Sequence, residues 1–161
     1  MIRERSVRIT EAPIDATAET AELSRGRSDV GALVTFAGIC RSEEEGAPIA
    51  ALVLEHYPGM AEEEIERHVE EAKKRWPLLG VCITHRVGRV TPGETIVLVA
   101  ATSMHRQAAF AAAEFLMDYL KTRAPFWKKV ERAGGTHWIA AHDKDDAAAG
   151  RWKKSSREAA E

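Results

Sequence analysis

The spacing of hydrophobic residues predicts two long helices, each with one apolar face. In both, apolar side chains recur every three or four residues, which is the period of an α-helix. The first apolar face consists of Ile65, Val69, Ala72 and Trp76. The second, in a helix predicted from about residue 104 to residue 121, consists of Ala109, Ala113, Leu116 and Leu120. A shorter helix is predicted at 16–24.

Short apolar runs with strand character lie before and between these helices. They occupy residues 7–9, 31–36, 49–56, 81–87 and 94–101. The run at 31–36 is expected to end at Gly38, and a final hairpin is predicted from 127–131 and 137–140. The acidic segment 42–48 is predicted to be a solvated loop.

The connection between the two middle strands indicates the fold class. Residues 81–87 and 94–101 are separated by a short segment in which Pro92 and Gly93 indicate a tight turn. So short a connection joins antiparallel strands, because parallel strands need a long crossover. The sequence therefore predicts an α+β fold with an antiparallel sheet. We expect one domain over residues 1–152 and a polar tail, 153–161, that frays.

The charge balance argues against a polyanionic partner. The 161 residues include 23 Lys and Arg and 25 Asp and Glu, for a formal net charge of -2, so neither nucleic acid nor an anionic membrane is expected as the main partner. The local basic cluster of Lys121, Arg123, Lys128 and Lys129 suits a small anionic substrate better. No apolar run is long enough to span a bilayer, and no signal peptide is evident, so we expect the cytoplasm.

Two cationic residues at the start of the long second helix are candidates for anion binding. The hydroxyl of Ser103 is expected to cap this helix, which places His105 and Arg106 in its first turn. The helix dipole disfavours cations there, whereas free backbone N–H groups beside a guanidinium bind anions. The alternative is that both side chains are simply solvated.

Lysines near the end of the same helix are candidates for catalysis. Lys121 ends the helix, and Lys128 and Lys129 open the next strand across a proline-containing turn. Lysines crowded by other cations lose protons more easily and can act as bases or nucleophiles. The alternative is that they only complement the helix dipole.

A third group of candidates follows the strand at 31–36. Arg41 lies where a loop can present it to a ligand, and its alternative role is a surface ion pair. Its neighbour Cys40 is interpreted as a small residue at a strand end, with a nucleophile as the alternative. The six histidines show no metal-ligand spacing, and no residue pattern requires a metal or a redox cofactor.

Several segments together resemble the large, catalytic subunits of molybdopterin synthase. The most specific is MDYLKTRAPFWK at 117–128. The others, in matching order, are VTFAG at 34–38 followed by Arg41, LEHYPGM at 54–60, HRVG at 85–88 leading to PGE at 92–94, and TSMHR at 102–106. The resemblance extends over residues 31–152, and so many segments in register are not expected by coincidence.

The resemblance implies a fold, a reaction and an assembly. The family has an α/β-hammerhead-type fold with a small additional β subdomain, and it forms a homodimer at the centre of a heterotetramer. Each large subunit receives the C-terminal tail of a small ubiquitin-like partner that carries a thiocarboxylate. Two sulfurs are transferred to cyclic pyranopterin monophosphate, which gives the dithiolene of molybdopterin.

The resemblance also implies roles for particular residues. Lys121 and Lys128 match the catalytic lysines of the family. The positions that match its substrate pocket or flank it are Arg41, His105, Arg106, Ile39, Cys40, Lys129 and Val130. Three of these, Ile39, Cys40 and Val130, differ from the residues most common in the family.

Two other functional classes are consistent with the residues alone. One is a non-catalytic adaptor that binds a ubiquitin-like tail, and the other is an acyl or sulfur transferase that uses Cys40.

Helix geometry adds an expectation about assembly. His105 and Lys121 are separated by about 24 Å along one continuous helix. If both residues contact one small substrate, they are expected to come from two subunits, as a two-fold homodimer allows. The alternatives are that the helix breaks midway, or that His105 and Arg106 serve elsewhere.

Overall fold

The computed structural model describes residues 6–139 together with Gly150 and Trp152. The strands are β1 Val7–Thr10, β2 Ala32–Ile39, β3 Glu43–Glu44, β4 Ala47–Pro48, β5 Ala51–His56, β6 Leu78–Arg86, β7 Gly88–Val90, β8 Thr95–Ser103, β9 Phe126–Arg132 and β10 Gly135–Trp138. The helices are α1 Ala16–Glu22, α2 Met60–Arg75 and α3 Arg106–Thr122. None of the described helices is both long and apolar enough to cross a membrane.

The larger sheet has the strand order β1-β6-β8-β2. Strand β1 is parallel to β6, while β8 is antiparallel to both β6 and β2. β6 and β8 are the central strands, and their side chains are buried over most of their length. Helices α2 and α3 contribute to the main hydrophobic core over this sheet, with Ile65, Val69 and Leu116 fully buried. The apolar faces predicted for both helices are the faces that the fold buries.

A smaller sheet, with the order β10-β9-β5-β7, is antiparallel throughout. It has its own core, formed by Cys40, Ile49, Leu52, Leu54, Val90 and Val130. Alternation along β9 turns Val130 toward this core and its neighbour Lys129 away from it. The predicted α+β class, with antiparallel pairing and an additional small β unit, is confirmed.

The acidic segment 42–48 is largely exposed, as predicted, but it forms a hairpin and not a loop. Strands β3 and β4 pair through a two-residue turn in which Glu45 and Gly46 both have positive φ, 53° and 75°. That is the geometry of a type I′ turn, whose twist matches paired strands. Arg132 of β9 fastens the hairpin by donating hydrogen bonds to the carbonyl oxygens of Glu44, Ala47 and Pro48.

The end of strand β2 also differs from its prediction. Strand β2 continues through Gly38 to Ile39, with a register shift between these two residues. A Cβ at Gly38 would lie 2.8 Å from Cγ1 of Val97, so glycine here allows β2 and β8 to stay close. The predicted strand residue 140 and the tail 153–161 lie outside the described residues.

The helix cap predicted for Ser103 was also wrong. His105 is the N-cap residue of α3, in extended conformation. Ser103 ends strand β8, where it is 1% exposed and donates a 2.8 Å hydrogen bond to the carbonyl oxygen of Pro77. The serine side chain therefore ties the end of β8 to the connection between α2 and β6 instead of capping the helix.

Candidate active site

A cleft of about 420 Å³ lies where the end of α3 meets the small sheet. Strands of both sheets contribute to it. Its lining residues are Phe36, Gly38, Ile39, Leu54, His85, Ile96, Val97, Met117, Leu120, Lys121, Phe126, Trp127, Lys128, Trp138 and Ile139. The lining is largely apolar and aromatic, and two lysines are set into it. A cleft of this size and composition suits a small, flat, partly charged molecule.

The two predicted catalytic lysines are brought together in this cleft. Lys121 is exposed in the last turn of α3, where a cation also complements the helix dipole. Lys128 follows on β9, after the turn at 123–125, and its side chain is 30% exposed. The local sequence explains this arrangement, because Pro125 cannot continue the helix and the chain reverses into the strand.

A carboxylate that the sequence analysis left unassigned lies beside Lys128. Glu44 of the β3–β4 hairpin is 5% exposed, and its Oε1 lies 3.6 Å from Nζ of Lys128. Its Oε2 lies 3.4 Å from Nη2 of Arg41, whose side chain is 76% exposed. Arg41 thus lies near the lysine site through a shared carboxylate, without lining the cleft itself. A glutamate in a run of three gave no signal of burial in the sequence.

Cys40 lies behind the cleft, in the core of the small sheet. Its side chain is 2% exposed, and its Sγ is 3.7 Å from the carbonyl oxygen of Val90. Backbone hydrogen bonds with Gly93 and Glu94 fix its position. Burial raises the pKa of the Cys40 thiol, and the negative charges of Glu44 and Glu94 add to this effect. The thiolate needed for a nucleophile is therefore disfavoured, which argues against the transferase that uses Cys40.

The other predicted flanking residues have different surroundings. Ile39 lines the cleft and is 49% exposed. Val130 is 1% exposed in the small core, so its side chain does not reach the cleft. Nζ of Lys129 lies 3.0 Å from Oε1 of Glu55 and 4.2 Å from the ring centre of Trp138, a residue of the cleft wall.

His105 and Arg106 lie at the other end of α3. Both are exposed, and neither lines the cleft. The helix is continuous from Arg106 to Thr122, so no break shortens the separation of about 24 Å between His105 and Lys121. Within one chain, the two ends of α3 cannot contact the same small molecule.

A buried histidine forms part of the cleft wall beside Lys121. His85 is 8% exposed, and its ring stacks on Phe126 with 4.0 Å between ring centres. Its Nδ1 donates a 2.7 Å hydrogen bond to the carbonyl oxygen of Arg86. Burial lowers the pKa of His85 to about 4, and the charge of Lys121 acts in the same direction. The ring is therefore neutral near pH 7, as expected of a structural, hydrogen-bonded histidine.

This histidine makes stability depend on pH in a defined window. Its folded pKa of about 4 lies below its ordinary value of 6.5, so between these values the unfolded chain takes up a proton that the folded chain refuses. Stability should therefore fall as pH drops from 6.5 toward 4, by on the order of 3 kcal/mol from this residue. Chemical denaturation of the wild type and His85→Asn across this range isolates the effect, since other histidines are common to both. Parallel pH profiles would contradict it.

The part of the chain that the structure describes contains no group of side chains placed to bind a metal ion. Over residues 6–139, Gly150 and Trp152, no three His, Cys, Asp or Glu side chains are grouped as metal ligands. The chemical groups that do line the cleft are ammonium groups, aromatic rings and aliphatic side chains. Ammonium groups can neutralise an anionic substrate, stabilise a developing oxyanion and transfer protons.

Comparison with known proteins agrees with the motifs. A family model described as MoaE protein matches residues 9–123. The chain is 58% identical over 153 residues to the molybdopterin synthase catalytic subunit of Mesorhizobium japonicum, covering 94% of this chain and 95% of that protein. The solved MoaE protein of Burkholderia ambifaria has 46% identity and a TM-score of 0.78, covering 92% of this chain and 98% of that one.

A more distant structure shares the same architecture. The crystal structure of molybdopterin synthase from Staphylococcus aureus superposes with a TM-score of 0.76 at 28% identity, covering 87% of this chain and 99% of that chain. The resemblance expected from the sequence motifs is therefore confirmed over most of the chain. The chain belongs to the MoaE family, whose members include the molybdopterin synthase catalytic subunits.

Proposed function

We propose that the chain transfers sulfur from the C-terminal thiocarboxylate of a small ubiquitin-like partner to cyclic pyranopterin monophosphate. The observation that carries this proposal is the pair Lys121 and Lys128, which line one cleft of about 420 Å³. An adaptor without catalysis would need no such pair, and the relative from M. japonicum is named as a catalytic subunit.

The lysines have a definite task in such a transfer. The sulfur forms a bond to a pterin carbon as that carbon loses its bond to an oxygen, which leaves with a proton, and water then adds to the partner's carbonyl carbon. Collapse of the tetrahedral species breaks the carbon–sulfur bond and releases the partner as a carboxylate. The negative oxygen of that species needs a nearby cation, and opening of the cyclic phosphate needs a proton. Lys121 and Lys128 supply these functions in the proposed mechanism.

The cleft walls suit the other part of the substrate. The rings of Phe126 and Trp127 and the side chain of Ile39 offer apolar surface to a flat heterocycle. In this scheme, Arg41 and Lys129 are cations close to the cleft that can interact with the anionic substrate, and Lys129 does so from the edge of the cleft. Cys40 and Val130 are buried, so in this proposal they shape the cleft from behind and do not contact the substrate.

The same proposal requires two copies of the chain. Arg106 and His105 bind the phosphate only if they come from the second copy, because α3 separates them from Lys121 by about 24 Å. A two-fold dimer places the start of one α3 beside the end of the other, twice. With one small subunit at each site, the assembly is a heterotetramer around a central homodimer. The cytoplasm is the compartment we propose, since partner and substrate must both diffuse to the site.

Reconstitution tests the proposed function. The purified chain is mixed with a thiocarboxylated small subunit and cyclic pyranopterin monophosphate, and molybdopterin is measured. Product is expected only when all three are present. A small subunit that ends in an ordinary carboxylate is the matched control, because it can bind but carries no sulfur. Product formation at the same rate without the chain would contradict the proposal.

Arginine substitutions test the anion-binding part of the proposal. Arg41→Ala and Arg106→Ala are expected to weaken substrate binding by one to two decades, since a lost charge-assisted hydrogen bond costs about 1.5–3 kcal/mol. Isothermal titration calorimetry with the pterin substrate measures this. Arg67→Ala is the control, because Arg67 is similarly exposed and pairs with a glutamate three residues away, on α2. If either variant binds the substrate as tightly as Arg67→Ala does, the arginine replaced in that variant does not bind the anion.

A further inference from the structure

Glu44 is a buried carboxylate whose charge is shared by two cations of the proposed site. It is 5% exposed, while Arg41 and Lys128, its ion-pair partners, are 76% and 30% exposed at their side chains. A charge removed from water must be paired, or its burial becomes strongly unfavourable. The fold therefore fixes one buried carboxylate, and the longer, more exposed side chains of Arg41 and Lys128 pair with it.

The position of this carboxylate is set by the backbone. Glu44 lies next to the turn of the β3–β4 hairpin, and the positive φ angles of Glu45 and Gly46 define that turn. Arg132 donates to the carbonyl oxygen of Glu44 at 2.8 Å and to two carbonyl oxygens of β4. Because Arg132 and Lys128 belong to the same strand, the hairpin is fixed relative to the lysine.

We propose that Glu44 is a positioning residue for sulfur transfer, which holds the ammonium group of Lys128 at the cleft and keeps Arg41 beside it. This inference rests on the proposed function. The Lys128 side chain has several rotatable bonds, and without an anchor its ammonium group samples many positions. Small displacements of a reacting group lower rates strongly, so an anchor of this kind acts on turnover.

Substrate binding should respond differently from turnover. Arg41 is mostly exposed, and its contact with Glu44 is a long one of 3.4 Å, so a substrate anion can compete for the guanidinium. Removing the charge of Glu44 takes away the group that orders Arg41, which should weaken substrate binding. It also frees the guanidinium of Arg41 for the substrate anion, which should strengthen binding, so the two effects on affinity oppose each other. We therefore expect Glu44→Gln to lower kcat by about ten- to a hundredfold and to leave KM for the pterin nearly unchanged.

A double-mutant cycle separates positioning from a general structural role. If Glu44 acts through Lys128, adding Glu44→Gln to Lys128→Ala should cause no further loss of kcat, because the group it positions is already absent. A structural role would lower kcat by the same factor in both backgrounds. Glu43→Gln is the matched control, since Glu43 is the exposed neighbour on the same hairpin and the substitution removes the same charge.

The experiment measures kcat, KM and Tm for the wild type, Glu43→Gln, Glu44→Gln, Lys128→Ala and the double variant, each with the thiocarboxylated small subunit. Glu44→Asp covers the case in which glutamine unfolds the hairpin, because it keeps the charge and withdraws it by one methylene, and it should also lower kcat. Wild-type kcat in both Glu44 variants, or additive losses in the cycle, overturns the role of Glu44 alone. A wild-type chain that forms no product overturns the proposed function as well.

Discussion

Lys121→Ala is expected to lower turnover by about 10²–10⁴-fold, the range for loss of a positioned acid–base group. Lys121 is exposed in the last turn of α3 and lines the cleft, so its removal leaves no cavity in the core. The fold and the affinity for the small subunit should therefore remain. Steady-state formation of molybdopterin measures the effect, with Tm and partner affinity measured on the same samples. Lys128→Ala is expected to impair turnover as well.

A helix-end lysine away from the cleft provides the control for this prediction. Lys74 is exposed in the last turn of α2, as Lys121 is in the last turn of α3, and it does not line the cleft. Lys74→Ala loses a comparable interaction with a helix dipole, so it should retain wild-type turnover. If Lys121→Ala and Lys74→Ala were equally active, Lys121 would only complement the dipole, and the catalytic assignment would be wrong.

Mixing two impaired variants is expected to restore activity when the pterin concentration is too low to saturate a site that lacks Arg106. In a homodimer of either variant, Arg106→Ala or Lys121→Ala, every shared site lacks one of these two residues. In a mixed two-fold dimer, one site combines both defects and the other combines an intact Arg106 with an intact Lys121. Random exchange gives about half mixed dimers, each with one good site of two, so activity should recover to roughly a quarter of wild type.

Subunit exchange must be demonstrated separately, for example with two differently tagged chains. As a control, Lys121→Ala mixed with Lys128→Ala should give no recovery, because those two residues line one cleft of a single chain. Full exchange without recovery in the first mixture would mean that each site belongs to one chain, and that His105 and Arg106 act elsewhere.

The parts of the fold that the sequence predicted well depend on periodicity. The apolar stripes of α2 and α3 are the buried faces of these helices. The turn at Pro92 and Gly93 was also predictable, since Gly93 has a φ of 91°, which glycine adopts at little cost. In these segments, local preference and tertiary packing favour the same structure.

The features that were missed depend on contacts between distant residues. Glu44 is read as a solvated acid because its burial depends on Arg132, 88 residues away in sequence. Ser103 fits a helix cap by its position, but its hydroxyl donates to the carbonyl oxygen of Pro77, 26 residues away in sequence. Such contacts leave no periodic signal in a single sequence.

The most direct test of sulfur transfer at the Lys121–Lys128 cleft is the fate of the partner's C-terminus during turnover. The thiocarboxylated small subunit is incubated with the wild-type chain and cyclic pyranopterin monophosphate, and mass spectrometry follows its terminus while molybdopterin is quantified. We expect two thiocarboxylates to become carboxylates for each dithiolene formed, and almost none in the same time with Lys121→Ala. A thiocarboxylate that stays intact with the wild type, or that is lost equally fast with Lys121→Ala, would contradict the account.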